Sequence, residues 1–119
     1  MDAAKIRQCE EKLLRRKDQI RAVLARIEKE TRELTEERAL DWLDQARDVS
    51  EVRLRDHLSE GYLDELEHIQ MAFRRILAGG YGFCTACHEP IEARRLELFP
   101  ATEFCSGCQA TREALARAR

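Results

Sequence analysis

From Met1 through Glu60 neither glycine nor proline interrupts the chain, and over that stretch Ile6, Leu13, Ile20, Ile27 and Leu34 recur every seven residues. A seven-residue apolar repeat keeps one stripe of an α-helix turned toward a partner helix, so the pattern reads as a coiled-coil seam, thickened by Val23 and Leu24. Tyr62, Leu66, Ile69, Phe73 and Ile76 then follow at alternating spacings of four and three, which is the seam of a second helix. Between the two the register is lost in Leu40-Asp41-Trp42-Leu43-Asp44-Gln45-Ala46, where the aspartates are suited to capping the free N–H groups of a new helix. If the chain reverses near Leu43, Leu34 falls opposite Val52, Ile20 near Leu66 and Ile69, and Leu13 near Phe73. The expectation is an antiparallel hairpin whose arms, about 35 residues each at ~1.5 Å rise, reach on the order of 50 Å. Gly61 costs the second arm roughly 1 kcal/mol relative to alanine, and Ala78-Gly79-Gly80 ends it with a glycine free to turn left-handed.

Past that stop stand Cys84-Thr85-Ala86-Cys87 and Cys105-Ser106-Gly107-Cys108. A two-residue gap lets both thiolates of a pair turn inward from a tight loop, and two such pairs supply four sulfurs to one tetrahedral ion. The competing readings are two disulfides or a redox dithiol, and nothing before Cys84 has the strand–helix–strand context of a redox motif. One structural Zn²⁺ held by Cys84, Cys87, Cys105 and Cys108 is therefore expected, in a closed shell that leaves no position for water or substrate. The 17 residues between Cys87 and Cys105 make a short loop or ribbon carrying Ile91, Leu96, Leu98 and Phe99 as a small core, with Pro100 turning the chain back. Gln109 to Arg119 reads as a short helix packing on the base of the hairpin. Cys9 beside the seam reads as a small buried apolar residue, His57, His68 and His88 as ordinary surface or seam histidines, and Arg15-Arg16-Lys17 as a solvated face.

The fold class is thus α-dominated: a hairpin over 1–78 with its turn at about 40–46, then a four-cysteine zinc module and terminal helix over 79–119. Aromatic residues are 6% and charged residues 37% of the chain, too few and too many for a large round core. The N-terminus lacks an apolar targeting segment and no stretch approaches the ~20 apolar residues of a membrane span, so a soluble cytoplasmic protein is expected. Residues 41–70 hold three Lys/Arg against nine Asp/Glu, whereas 1–40 hold eleven against nine and 71–119 seven against five. The acidic middle repels phosphates and argues against sequence-specific DNA binding.

Three features together carry a family likeness. They are the long hairpin, the turn reading Asp41-x-x-Asp44-x-Ala46, and Tyr81-Gly82-Phe83-Cys84-x-x-Cys87 followed by Ile91, Arg94-Arg95-Leu96, Pro100 and Cys105-x-x-Cys108. With the separation between turn and cysteines, the whole chain resembles the DksA/TraR family of bacterial transcription factors. It begins about where the hairpin begins, so no role of the longer N-terminal segment of full-length members is expected. The resemblance implies a non-enzymatic regulator that binds RNA polymerase directly, inserts the hairpin into the secondary channel and alters open-complex stability and promoter output. It assigns Asp41, Asp44 and Ala46 to the functional turn and Arg94 and Arg95 to the polymerase rim; Trp42, at a turn with little core to anchor, reads by itself as an exposed contact residue rather than a core anchor. In DksA itself basic residues help to hold the alarmone ppGpp. The aligned positions here, Gly61, Glu65, His68, Phe99 and Gln109, offer little fixed positive charge, which counts against ppGpp cooperation.

Two rival readings belong to other classes. Gre-type transcript-cleavage factors also insert a hairpin with paired acids at its end, where carboxylates help to position Mg²⁺, but they lack a zinc module of this kind. A zinc-dependent DNA-binding or dimerising coiled coil is disfavoured by the acidic middle and by the polar turn that interrupts the register, so a monomer is expected.

Overall fold

The computed structural model describes residues 2–40 and 45–118, and it places most of them in four helices: α1 Ala3–Leu40, α2 Gln45–Ala78, α3 Ala93–Leu98 and α4 Ser106–Arg117. Asp41, Trp42 and Asp44 lie outside the described residues, as do the side chains of Ala46 and Val52. The α-dominated hairpin with a C-terminal four-cysteine module is therefore the architecture observed. Among the described residues no helix is long and apolar enough to cross a membrane.

Asp2 starts α1 by accepting from the backbone N–H of Lys5 through its Oδ1, at 2.8 Å, which satisfies one of the donors a helix start leaves free. At the other end of the hairpin's second helix the stop is a paired set of bonds. Gly80 N–H donates to the Arg75 carbonyl at 2.9 Å and Gly79 N–H to the Ile76 carbonyl at 3.2 Å. With Gly79 at φ 81° this is a Schellman closure, and glycine adopts that left-handed backbone without the Cβ clash other residues meet.

Two compact units result. One contains Arg16–Glu67, the facing portions of α1 and α2. Ile20 is fully buried there, while Val23, Leu24, Ile27, Leu34, Tyr62 and Leu66 are half-buried. Two helices screen each other from one side only, so an apolar stripe between them stays partly wet unless a third element covers it. Arg16 closes on Glu65 with a two-pronged contact, Nε to Oε1 at 2.5 Å and Nη2 to Oε2 at 2.9 Å. Both side chains are well exposed, so solvent leaves this pair worth well under 1 kcal/mol, and its value lies in holding register. Gly61 sits exposed in α2 with open space where a Cβ would go. Gly61→Ala is expected to raise stability by about 0.5–1 kcal/mol, read as a higher denaturant midpoint, because alanine has less backbone freedom to lose in a helix.

The other unit contains Met1–Arg15 and His68–Arg119 and holds most of the side chains that are buried among the described residues. Cys9 and Leu13 of α1, Ile69 and Ala72 of α2, and Tyr81, Cys84, Ile91 and Leu96 of the module are all buried. Cys9 is thus an apolar core residue. Three expectations about the module need correction. The segment after Cys87 carries a helix, α3, and the only ribbon pairing among the described residues is a single bridge between Phe83 and Pro90. Leu98 and Phe99 are each 62% exposed and do not belong to the core, since α3 ends at Leu98 and its one buried face is spent on Leu96. The C-terminal helix starts at Ser106, three residues earlier than its composition suggests, and buries none of its residues. Arg112 stacks over the Phe104 ring at 4.4 Å instead.

Candidate metal centre

The first cysteine pair is shaped by its own backbone. His88 N–H donates to the Cys84 carbonyl at 2.9 Å, and Cys84 N–H donates to the Glu89 carbonyl at 2.8 Å, so the chain folds back within five residues. His88 takes φ 64° to make that return possible, which makes it a backbone device; its imidazole is exposed. The second pair opens α4. Cys105 is the N-cap, its Sγ accepting from Cys108 N–H at 3.4 Å, and Cys108 lies in the first turn.

Tertiary contacts bring the pairs together. Thr85 N–H donates to the Glu103 carbonyl at 2.9 Å, joining the first pair to the approach to the second. Arg75, at the end of α2, donates to the carbonyls of Ala101 and Thr102 at 3.3 and 3.4 Å. Tyr81 donates its hydroxyl to the Pro100 carbonyl at 2.7 Å, and burial together with the neighbouring Cys9 pushes its pKa up, so it remains a donor. Arg95 donates from Nε to the Phe104 carbonyl at 2.9 Å, and Lys12 reaches the Glu97 carbonyl at 3.2 Å. Composition and periodicity point to none of the roles of Arg75, Tyr81 or Lys12, because each donor's acceptor is a backbone carbonyl far along the chain.

The result is a cluster in which the Sγ atoms of Cys84, Cys87, Cys105 and Cys108 all lie within 4.8 Å of one another. All of these cysteines are free thiols, which leaves the two-disulfide reading without support. Zinc bonded to four sulfurs at ~2.3 Å requires tetrahedral edges of about 3.8 Å, and Cys87 Sγ stands 3.8 Å from Cys105 Sγ. The donor set fits. Burial works against charge on Cys84, yet hydrogen bonds from the backbones of Cys105, Cys87 and Ala86 bring its thiol down to about 6. The crowding of Cys105, Cys84 and Cys87 around Cys108 pushes that thiol up to about 12. Four thiolates so close together tolerate ionisation only with a cation among them, and ligation by a dication supplies it. The chain holds one structural Zn²⁺, in a site with no coordination position left for chemistry.

The remaining predicted site residues are not drawn to this centre. Arg94 is exposed, whereas Arg95 is half-buried and engaged with Phe104. Of the positions aligned with the alarmone site, Glu65 is held by Arg16, Gln109 donates to Glu113 at 3.0 Å, and Gly61 and Phe99 are exposed. One residue near the cysteines carries no signal in the sequence: Glu92, whose carboxylate meets Ser106.

Comparison with known proteins gives a consistent set of likenesses. Residues 79–114 match the prokaryotic dksA/traR C4-type zinc finger. An uncharacterized protein of Aquifex aeolicus (strain VF5) is 32% identical over 110 residues, which span 91% of this chain and 76% of that protein. The structure of transcription factor DksA2 from Pseudomonas aeruginosa superposes with a TM-score of 0.88 at 31% identity, covering 98% of this chain and 89% of that one.

Proposed function

Because the chain belongs to the DksA/TraR family, we propose that it is a transcription regulator that binds RNA polymerase directly, entering the secondary channel with the turn of its hairpin and changing the lifetime of open complexes. The observation that supports this reading most is the likeness to transcription factor DksA2 over 98% of the chain, since it extends through the hairpin as well as the zinc finger. The charge pattern supports it too. Nine acidic against three basic residues over 41–70 suit a protein target better than a nucleic-acid backbone. In this reading Asp41, Asp44 and Ala46 act on the polymerase, Trp42 adds an apolar contact, and Arg94 supplies an exposed cation at the rim. Arg95, beside it on α3, is half-buried and ties that helix to the segment before α4 through its bond to the Phe104 carbonyl. The chain performs no catalysis of its own, and zinc serves the fold.

The test pairs binding with effect. Core RNA polymerase is expected to retain the protein, and a second protein known to occupy the secondary channel is expected to displace it. Asp44→Asn removes a charge while keeping a side chain that caps a helix about as well as aspartate does. It is expected to leave zinc content and polymerase binding near normal and to abolish the change in open-complex lifetime at a sensitive ribosomal promoter. Equal effects of wild type and Asp44→Asn would reduce that aspartate to a cap. Cleavage of backtracked transcripts on addition of the protein would instead point to the Gre-type activity.

A further inference from the structure

Glu92 stands between the two arms of the zinc centre. Its backbone belongs to the first arm. Immediately before it, Ile91 N–H donates to the Gly82 carbonyl at 2.8 Å, Pro90 bridges to Phe83, and the Glu89 carbonyl accepts from Cys84 N–H. Its own carbonyl then accepts from Leu96 N–H at 3.1 Å and begins α3. Serine, threonine, aspartate or asparagine at such a position turns its side chain onto the N–H groups of the helix it starts. Glu92 makes no such bond to α3. Its carboxylate instead crosses to Ser106, taking the hydroxyl on Oε1 at 2.6 Å and the backbone N–H on Oε1 and Oε2 at 3.4 and 3.3 Å. Ser106 is the first residue of α4, between the N-cap ligand Cys105 and the first-turn ligand Cys108, and the first turn of α4 contains no acidic residue of its own.

We propose that Glu92 is a positioning residue of the zinc centre, holding the Cys105–Cys108 arm against the Cys84–Cys87 arm through Ser106. The two ends of α4's free donors are then divided: Cys105 Sγ serves Cys108 N–H and Glu92 serves Ser106 N–H, so that the helix start presents its sulfurs at one orientation. A carboxylate at a helix N-terminus is also favoured by the helix dipole. Partners that orient metal ligands slow the loss of the ion, because an arm that swings free exposes its sulfurs to competitors.

The experiment follows zinc leaving the loaded full-length chain into the chromophoric chelator 4-(2-pyridylazo)resorcinol, with helical content recorded alongside. Glu92→Ala is expected to release zinc about tenfold faster, the low end of the range for such partners because the contact is exposed. Glu92→Gln keeps an oxygen acceptor and is expected within about threefold of wild type. Ser106→Ala loses only the hydroxyl bond, is milder, and is expected to be about threefold faster. In the Glu92→Ala background Ser106→Ala is expected to add nothing, since the two residues act through one contact. Unchanged release from both Glu92→Ala and Ser106→Ala would overturn the assignment. So would additive effects in the double variant, or a Glu92→Gln rate no slower than that of Glu92→Ala.

Discussion

Cys84→Ser empties the zinc site and unfolds the module while the Arg16–Glu67 unit keeps its helices. Cys84 is the buried member of the cluster, so the fold holds its sulfur in place and a substitution there removes a ligand that no neighbouring side chain can replace. A serine hydroxyl in its place neither ionises near neutral pH nor binds zinc as a thiolate does. Structural zinc is worth on the order of 10–16 kcal/mol in small finger peptides. Beyond Gly80 the buried apolar side chains are Tyr81, Cys84, Ile91 and Leu96, too small a core to replace that contribution. Elemental analysis is expected to show zinc below stoichiometry, and limited proteolysis to cut between residues 81 and 118, where wild type is protected. Helical signal falls only by the share of α3 and α4. Stoichiometric zinc and an uncut module in Cys84→Ser would show that three thiolates suffice.

Ile69→Ala destabilises the core that α1, α2 and the module share, by about 2–5 kcal/mol. Ile69 is only 1% exposed and belongs with Leu13, Ala72 and Tyr81 to the unit that includes both chain ends, so truncation leaves a cavity the surrounding elements cannot readily fill. The control is Leu77→Ala, eight residues along the same helix but 89% exposed, which is expected to change stability by less than about 0.5 kcal/mol. Denaturant midpoints of the zinc-loaded proteins measure both. Zinc stoichiometry in the folded state is expected to survive Ile69→Ala, which separates loss of packing from loss of the ligand set. A midpoint shift no larger than that of Leu77→Ala would remove Ile69 from the core.

Much of this protein was legible from residue order, because the properties involved are local. The heptad stripe through Leu13 and Ile20 and the four-three stripe through Ile69 state which helix faces meet, and these side chains are the buried ones. Two glycines at 79–80 announce a left-handed stop, and Gly79 supplies it. CxxC spacing states which sulfurs converge, and they do so within 4.8 Å. What stayed hidden depends on residues distant in sequence. Leu98 and Phe99 are as apolar as Leu96, yet α3 has a single inward face and Leu96 occupies it. Ala and Arg after Cys108 suggest a packed terminal helix, whereas α4 is anchored at its start by Cys105 and Glu92 and buries nothing. Arg75 looks like a charge at a helix end, and only the fold brings the Ala101 and Thr102 carbonyls to it. Periodicity and ligand spacing are written along the chain, so sequence alone determined the hairpin and the zinc ligands. A hydrogen bond to a carbonyl 26 residues away, like that of Arg75, exists only once packing has set the partner's position, and tertiary structure alone decided it.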